Sequence, residues 1–507
     1  MKPQPQPHDD TYLLKMLGIG LLGLGFYNAY SSLSRFEFFL ASIGLLALAS
    51  IVTAVVIDRY TKSGRERQRK LAFIREVPAS LTQATPDAIQ LGVDIDLGAQ
   101  IYLPDAVRSK HVHIIGATGS GKTESVVLNF IKQDVARGFG SIILDAKGDI
   151  SFLKTLGQWV PKERLRIFDL STADSLSYNP LDSGSALEAA QRLFSSLTWS
   201  EEYYKSKAFS ALQRMFQLHF ERFDRNPKLI ELDSYLADPK SYASFVQAPS
   251  YPQKLAEADF ADLSGLRDQI RILSIGHLKA ILSPKGESEM QLPSVALGMV
   301  LYFRLQSLLS PQLVTIVGRF LINHINYLAG TAHRAEAPIN GTRMIPTYFD
   351  EFASFACPEF ADLISKARSA GFALHFSHQS IGDLAEVSEG FINQITDNSA
   401  TKIVMRINDP DSAEYFARAY GTKLYQKITQ RVTNVEEIDT AEVLSEGTQR
   451  EAHQFRASPD LFKTLPTGMG SVLIAHGSDT PHGASSVFRV RFPRLESPKP
   501  KTEGGLE

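Results

Sequence analysis

Apolar residues follow two different periods along this chain of 507 residues. Short, nearly uninterrupted apolar runs predict buried strands at 111–115, 141–144, 165–170, 344–349, 373–377 and 486–492. Apolar residues at helical spacing lie between several of these runs, as at 124–137 and 150–159. Strands that alternate with helices are typical of a parallel sheet with helices on its faces. The pattern therefore predicts an α/β fold.

The middle of the chain has the helical period alone. Apolar positions at helical spacing predict three helices there, at 187–199, 202–223 and 263–282. The next strand-like run is 295–303, and a long helix at 312–331 follows it. We interpret 183–290 as an all-α domain inserted into the α/β core.

Two long apolar stretches lie near the amino terminus. The segment 38–57 has 20 uncharged, mostly apolar residues, which is the length that a bilayer span requires. The segment 13–30 is also apolar and has one charge, Lys15, near its end. A basic run follows at 58–70, and Lys and Arg beside a span mark the cytoplasmic side. The prediction is an inner-membrane protein with two spans and with both termini and most of the chain in the cytoplasm.

Composition adds little to this picture. Hydrophobic residues make up 44% and charged residues 21% of the chain, as in ordinary globular proteins. The formal net charge of −2 gives no global sign of nucleic-acid binding, so such binding would depend on local features. Cys357 is the one cysteine, which excludes an internal disulfide and suits a reducing compartment. We expect its side chain to be buried and apolar in behaviour.

The most informative motif is Gly116-Ala117-Thr118-Gly119-Ser120-Gly121-Lys122-Thr123, between a predicted strand and a predicted helix. This pattern is the phosphate-binding loop of P-loop NTPases. Its glycines let backbone N–H groups point at phosphate oxygens, and the helix N-terminus adds partial positive charge. Lys122 would reach the outer phosphates, and the Thr123 hydroxyl would ligate Mg²⁺. The chain is therefore predicted to bind a nucleoside triphosphate, ATP, with Mg²⁺.

Two adjacent carboxylates end a later strand. Asp350 and Glu351 directly follow the apolar run 344–349. In NTPases the first acid of such a pair holds Mg²⁺ through water, and the second orients or deprotonates the attacking water. We predict Asp350 at the Mg²⁺ site and Glu351 as the catalytic base.

The strand after that pair also ends in polar residues. Gln379 would sense the γ-phosphate through a hydrogen bond, and an ordinary loop glutamine is the alternative. His375 and His378 would lie on opposite faces of the strand, with no cysteine or acid cluster near them. A metal pair is therefore disfavoured.

An arginine could complete a site between subunits. In ring ATPases an arginine near the subunit edge commonly reaches the neighbour's γ-phosphate. The predicted helix 360–370 carries Lys366 and Arg368. We predict this role for Arg368, with Arg406 as the alternative, while a solvated helix face is the plainer interpretation.

Several segments, in a fixed order, resemble one family. They are the two apolar stretches, the loop 116–123, Asp145-Ala146-Lys147-Gly148-Asp149, Tyr178-Asn179-Pro180-Leu181, the helical insertion, Asp350-Glu351-Phe352, Ser377-His378-Gln379, Thr401-Lys402-Ile403-Val404-Met405-Arg406 and Asn408-Asp409-Pro410. Together they resemble the coupling proteins of type IV secretion, the TraD/TraG type of conjugative ATPase. This type is part of the same broad superfamily as the FtsK/HerA DNA pumps.

The resemblance implies a homohexameric motor of the bacterial inner membrane that hydrolyses ATP between its subunits. It would bind DNA without sequence specificity and pass a relaxase-bound single strand to the secretion channel. The implied partners are the relaxase and other relaxosome proteins, the channel ATPases and inner-membrane components of the channel. The helical insertion would contact the relaxosome. The short tail 496–507 differs from longer members, which recruit substrate through a C-terminal extension.

The predicted organisation has five parts. They are a membrane hairpin with its basic segment at 1–70, the first part of a P-loop, RecA-like nucleotide-binding domain at 71–182, the inserted all-α domain at 183–290, the second part of the nucleotide-binding domain at 291–495 and a flexible tail at 496–507.

Two alternatives to a DNA motor stay open. The same motor could deliver protein effectors to a type IV secretion channel, or the nucleotide site could control the assembly of a scaffold. A scaffold is disfavoured, since it has no chemical need for Glu351. A pore lined by Lys and Arg would favour DNA. The charged segment 423–450 could be a loop at the ring surface, and a plain solvated insertion is the preferred interpretation.

Overall fold

The structure is a computed structural model that describes residues 78–248, 251–341, 343–388, 390–434, 441–475 and 485–495. All of these residues belong to one compact unit, Val77–Glu507. The predicted membrane hairpin and its basic segment, 1–70, and the predicted tail, 496–507, lie outside the described residues.

The prediction of an inner-membrane location with two spans is contradicted. Among the residues that the structure describes, no helix is both long enough and apolar enough to cross a membrane. The longest described helix, Pro311–Arg334, has 24 residues, but polar side chains such as Arg319 and His324 interrupt its apolar surface. The two predicted spans, 13–30 and 38–57, lie outside the described residues.

The strands of the described chain form one large sheet and one separate hairpin. They are β1 Ala88–Asp94, β2 Gln100–Pro104, β3 Val112–Ile115, β4 Ser141–Asp145, β5 Leu165–Asp169, β6 Val300–Arg304, β7 Ile345–Asp350, β8 Phe372–His378, β9 Thr401–Val404, β10 Thr422–Asn434, β11 Ala441–Phe455, β12 Met469–Ala475 and β13 Ser485–Arg491. The large sheet has eleven strands in the order β2-β1-β13-β12-β9-β3-β8-β7-β4-β6-β5.

The sheet is mixed, whereas the sequence predicted a parallel one. Neighbours from β9 to β5 are all parallel, so the prediction holds for the centre and one edge. The strands β12, β13, β1 and β2 extend the other edge with antiparallel pairs. One of these pairs, β1 with β13, joins residues near 90 to residues near 490, and the local pattern of either strand does not indicate such a partner.

Sixteen α-helices lie in the described residues. They are α1 Asp105–Arg108, α2 Leu128–Ala136, α3 Ile150–Trp159, α4 Ala186–Ser196, α5 Glu202–Phe223, α6 Leu229–Tyr235, α7 Pro239–Val246, α8 Gln253–Asp259, α9 Ser264–Ser274, α10 Leu278–Leu282, α11 Pro311–Arg334, α12 Glu359–Lys366, α13 Gly382–Ala385, α14 Phe391–Asp397, α15 Pro410–Tyr420 and α16 Pro459–Thr464. Short 3₁₀ helices lie at Ala79–Leu81, Phe260–Leu263, Leu292–Leu297 and Phe352–Phe355.

The large sheet is buried on both faces. Successive residues of a strand point to opposite faces, and in β4 Ile142 and Leu144 join one apolar core while Ile143 joins another. All five residues of β4 are buried, as expected of a parallel strand covered on both sides. Cys357 is a buried free thiol in the first of these cores.

The segment between β5 and β6 is helical in the described residues, from α4 to the 3₁₀ helix before β6. Its apolar side chains share one continuous core with α11 and one face of the sheet. The predicted helix 263–282 is two helices, α9 and α10, because the chain turns between them at Gly276, whose φ is 55°. The predicted strand 295–303 is shorter and begins at Val300.

The charged segment 423–450 is strand, not loop, over its described residues. It forms most of the antiparallel hairpin of β10 and β11, which pairs from Thr422 with Phe455 to Asn434 with Ala441. This hairpin is a two-stranded sheet apart from the main one. Its mixed polar sequence lacks the alternation of a half-buried strand, which is why periodicity did not reveal it.

Candidate active site

The loop 116–123 connects β3 to a helix that opens with a π-helical turn, Lys122–Val127, and continues as α2. Gly119 and Gly121 have φ of 73° and 96°, the left-handed region that favours glycine. The backbone N–H groups of Thr118, Gly119 and Gly121 have no hydrogen-bond partner in the described chain. This leaves them free to donate to phosphate oxygens.

Lys122 and Thr123 lie where the motif predicts. The Lys122 Nζ is buried and donates to the Gly116 carbonyl oxygen at 2.5 Å, so it closes over the loop. The Thr123 hydroxyl donates to Asp350 Oδ2 at 2.8 Å. The two residues predicted to share a Mg²⁺ ion are thus in direct contact.

Asp350 is held from a second side as well. The Ser377 hydroxyl, near the end of β8, donates to Asp350 Oδ1. Asp145 lies opposite Asp350 in the pairing of β4 with β7, and both are buried. Asp145 accepts hydrogen bonds from the Tyr302 hydroxyl at 2.7 Å and the Gly148 N–H at 2.8 Å. Two carboxyl groups therefore lie side by side beside the loop.

Glu351 and Gln379 form a chain of hydrogen bonds with the loop. The Thr118 hydroxyl donates to Gln379 Oε1 at 2.9 Å. Gln379 Nε2 donates to the Glu351 carboxylate, 3.3 Å from Oε1 and 3.2 Å from Oε2. Glu351 has φ of 51°, a left-handed conformation that is rare outside glycine. Such backbone strain is concentrated at functional sites.

The ionisable groups of the site have shifted pKa values. Burial raises the pKa of Glu351, and the nearby Lys122 ammonium partly opposes this shift. Burial lowers the pKa of Lys122, while the Glu351 and Asp350 carboxylates oppose that shift. Burial and then the neighbouring Asp350 raise the pKa of Asp145 to about 6. Opposite charges buried together in this way are typical of catalytic sites.

The two arginine candidates occupy different ends of the sheet. Arg368 is exposed and lies just before β8, whereas Gln379 follows the other end of that strand. It therefore lies before the amino end of β8, whereas the loop of its own subunit lies at the carboxyl end of the neighbouring strand β3. Arg406 follows β9, and its carbonyl oxygen accepts from the Ala117 N–H at 2.7 Å. A role of Arg368 toward a neighbouring subunit stays a prediction.

The two histidines of β8 do not form a metal pair. His375 Nε2 lies 2.8 Å from the Arg108 Nε, which donates to it, and His378 Nε2 lies 2.6 Å from His113 Nε2. Within the described ranges, no group of three or more His, Cys, Asp or Glu side chains is arranged to hold a metal ion.

The structure adds residues that the site prediction did not include. Asp145 was noted only within a family motif, and its strand-terminal position on β4 was the signal that could have placed it at the site. Ser377 was also noted only within a motif, and His378 was considered only as a disfavoured metal ligand and within that motif. Their roles depend on the neighbouring strands β7 and β3, which the sequence alone does not order.

Two family models match separate parts of the chain. Residues 97–209 match a model described as the type IV secretion-system coupling protein DNA-binding domain. Residues 346–459 match a model described as the TraM recognition site of TraD and TraG. The first match contains the phosphate-binding loop, and the second contains the acid pair and Gln379.

A curated relative is the type 4 coupling protein DotL of Legionella pneumophila. It is 21% identical over 413 residues, which cover 66% of this chain and 52% of DotL. The chain thus spans about half the length of this relative.

Solved structures share the fold. The bacterial conjugative coupling protein TrwBdeltaN70 has a TM-score of 0.61 at 14% identity, over 83% of this chain and 91% of that one. TrwB with ADP and Mg²⁺ has a TM-score of 0.58 at 15% identity, over 83% and 92%. VirB4 of Thermoanaerobacter pseudethanolicus has a TM-score of 0.51 at 14% identity, over 82% and 98%. At these identities the likeness concerns the fold.

Proposed function

We propose that the chain is a coupling protein of a type IV secretion system, which the two family models and the relative DotL support, and that it is an ATP-driven motor for conjugation. It links a relaxase–DNA complex to the secretion channel and pumps single-stranded DNA. Its energy source is the hydrolysis of ATP with Mg²⁺, at the site formed by the loop 116–123, Asp350, Glu351 and Gln379.

One observation carries the proposal of hydrolysis. The hydrogen-bond chain from Thr118 through Gln379 to Glu351 joins the phosphate-binding loop to a carboxylate. A protein that only binds a nucleotide does not need a carboxylate tied to that loop. A hydrolase does, because a base must face the γ-phosphate through one water.

Mg²⁺ suits the oxygen atoms that the site offers. The Thr123 hydroxyl and the Asp350 carboxylate are hard oxygen donors in contact with each other, and Mg²⁺ prefers ligands of this kind. Thr123 would bind the ion directly, and Asp350 would hold it through water. When bound, Mg²⁺ would neutralise charge that develops on the phosphates.

The side chains of the chain itself have separate tasks. Lys122 leaves the Gly116 carbonyl and places its charge on the outer phosphates. Glu351 orients the attacking water and accepts its proton, and its raised pKa makes it a stronger base than an exposed carboxylate. Gln379 fixes the carboxylate of Glu351 and reports the presence of the γ-phosphate to β8.

Subunit assembly completes the proposed site. Arg368 is exposed and lies before the end of β8 that is opposite its own loop, which supports a role toward a nucleotide held by a neighbour. We propose a homohexamer in which Arg368 stabilises charge on the neighbour's γ-phosphate, with Arg406 as the alternative. This role is that of an arginine finger.

The proposed partners follow from the two matched family descriptions. A match to a DNA-binding domain supports DNA as the cargo, bound through its backbone without sequence specificity. A match to the TraM recognition site supports relaxosome proteins, including the relaxase, as partners. Channel ATPases would receive the strand. We propose the helical region 183–290, inserted between the two parts of the nucleotide-binding domain at 71–182 and 291–495, as the contact for the relaxosome.

The test is ATP turnover by the full-length chain with and without single-stranded DNA, at several salt concentrations. We expect stimulation that falls as salt rises, because phosphate contacts release counterions. Stimulation by an effector protein, with none by DNA, would instead favour delivery of proteins. Nucleotide binding without turnover would favour an assembly scaffold. The Glu351→Gln protein is the control for contaminating ATPases.

A further inference from the structure

A pair of histidines joins the strand before the phosphate-binding loop to the strand before Gln379. His113 lies in β3 and His378 in β8, and the two strands are parallel neighbours. Their Nε2 atoms are 2.6 Å apart, and their rings are stacked with centroids 4.9 Å apart. Both rings are buried. His378 is the residue directly before Gln379.

The neighbours of the pair fix where its protons lie. His378 Nδ1 is 2.8 Å from the Ser380 carbonyl oxygen, which can only accept, so Nδ1 carries the proton of that ring. Burial lowers the pKa of His378 to about 4, so the ring is neutral and its Nε2 is an acceptor. His113 Nε2 must then be the donor. The direction of the hydrogen bonds is therefore from His113 to His378 to Ser380.

His378 holds the chain on both sides of Gln379. Its own carbonyl oxygen accepts from the N–H of Gly116, the first residue of the loop, at 3.3 Å. Its ring holds the carbonyl of Ser380, the residue after Gln379. The Ser380 N–H and hydroxyl in turn donate to Asp383, at 3.0 Å and 2.9 Å. The turn that carries Gln379 is thus held by the His378 ring and the Asp383 carboxylate.

We propose that His378, supported by His113, is a positioning residue for ATP hydrolysis that holds Gln379 between the phosphate-binding loop and Glu351. This inference depends on the proposed ATPase function. The buried ring of His378 bonds His113 and the Ser380 carbonyl. It acts through Gln379, whose side chain must reach Thr118 and Glu351 at the same time.

A purely structural role of His378 would have a different effect on stability and turnover. A buried histidine that only satisfies polar groups would affect stability and leave the reaction alone. His324 is such a case, because its ring nitrogens bond the Tyr178 hydroxyl and the Ser183 hydroxyl, each at 3.0 Å, far along the chain from any site residue. It provides a matched control for a buried histidine with two hydrogen bonds.

Two conservative variants separate the contacts of His378. An asparagine amide can replace the Nδ1 donor to Ser380, and a glutamine amide can replace the Nε2 contact with His113. We expect His378→Asn to keep most of the wild-type kcat and His378→Gln to lose about 10-fold to 100-fold, as small misplacements of a catalytic group do. The KM for ATP should change little in either variant. His324→Gln should leave kcat within about twofold, a change worth under about 0.5 kcal/mol.

A double-mutant cycle with Gln379→Ala gives the decisive readout. If His378 acts through Gln379, His378→Gln should lower kcat in the wild type but not in the Gln379→Ala background. Losses that multiply, or a kcat that follows the thermal midpoint in all variants including His324→Gln, would overturn the positioning role. Absence of turnover in the wild-type protein would instead overturn the proposed ATPase function.

Discussion

Asp145 and Asp350 lie opposite each other at the carboxyl ends of two parallel strands, and both side chains are buried. Each has neutral hydrogen-bond donors of its own, the Tyr302 hydroxyl for Asp145 and the Thr123 and Ser377 hydroxyls for Asp350. Two buried acids at paired positions of neighbouring strands favour a proton on one of them or a cation between or beside them. The carboxyl ends of these two strands therefore favour binding of a positive ion.

This pairing predicts a pH-dependent effect on stability. Burial and Asp350 raise the pKa of Asp145 from 3.8 to about 6. The folded state is therefore favoured below pH 4, and this contribution is lost as the pH rises through 6. A shift of this size corresponds to about 3 kcal/mol. Relative to the wild type, the Asp145→Asn protein should therefore become more stable as the pH rises from 4 to 7.

The measurement is urea denaturation of both proteins at several pH values, without Mg²⁺. A difference in unfolding free energy that stays constant with pH would show that Asp145 is ionised in the folded protein across this range. Added Mg²⁺ should stabilise the wild type, because a cation stabilises the ionised form of Asp145. The stability advantage of Asp145→Asn at the higher pH values should therefore become smaller.

Removal of the lysine in the phosphate-binding loop should abolish hydrolysis. Lys122 is buried against the loop, and its ammonium is the one positive side chain within it. We expect Lys122→Ala to lower kcat/KM for ATP by at least about 100-fold, as loss of a preorganised charge at a phosphoryl group does. Steady-state ATP turnover is the readout.

The matched control is Lys154→Ala, on the exposed surface of α3. This variant should retain wild-type turnover. Turnover by Lys122→Ala within a few-fold of the wild type would show that the loop does not hold the phosphates during the reaction.

Loss of the proposed base should separate binding from chemistry. Glu351→Gln keeps the size of the side chain and its contact with Gln379 but cannot accept a proton. We expect kcat to fall by about 100-fold to 10,000-fold with ATP affinity retained. Glu386→Gln, at an exposed position nearby, should have no effect. Near-normal turnover in Glu351→Gln would exclude Glu351 as the base.

The central strands and the polar residues at their ends could be predicted from the sequence for a physical reason. A buried parallel strand is apolar throughout, and its polar terminal residue stands out, as Asp350 does after 344–349. The antiparallel strands β1 and β2 have no such signal, because partly exposed residues interrupt the buried ones along both of them. The hairpin of β10 and β11 was missed because its sequence is polar on average.

The order of the strands within the sheet could not be predicted from the sequence either. Asp145, Ser377 and His378 become part of the site only because β4, β7, β8 and β3 are neighbours in space. No pattern within one strand indicates which other strand lies beside it. Residues whose role depends on such neighbours therefore emerge only with the fold.

The position of Arg368 predicts complementation between subunits. Arg368 lies at the end of the strands that is opposite its own loop. The variant Arg368→Ala should therefore impair the site of a neighbour and leave its own loop intact. We expect each pure variant, Arg368→Ala and Glu351→Gln, to be nearly inactive and mixtures of the two to recover part of the turnover. ATPase rates at several mixing ratios measure this. Absence of recovery at every ratio would assign Arg368 to the solvated helix face and direct attention to Arg406.

The last prediction concerns a buried cation that braces the sheet away from the site. Arg108 is fully buried and donates from Nη1 to Asp134 at 2.6 Å, from Nη2 to the Tyr348 hydroxyl at 2.7 Å and from Nε to His375. It thereby ties α2 to β7 and β8, the strands that lead to Glu351 and Gln379. Arg108→Leu would leave Asp134 as an uncompensated buried charge, which costs about 3–5 kcal/mol of unfolding free energy. Arg418→Ala, which breaks an exposed pair with Glu414, should cost less than about 1 kcal/mol.

A second substitution tests whether the loss comes from the stranded charge. In Arg108→Leu/Asp134→Leu no buried carboxylate remains, so denaturation should show much of the lost stability restored. If the double variant is as unstable as the sum of both single variants, the four-residue network itself, with Tyr348 and His375, is what stabilises the fold. In either case ATP turnover at a temperature where all variants are folded tells whether the brace also matters for the site. We expect kcat to fall in Arg108→Leu because the strands carrying Glu351 and Gln379 are then free to shift.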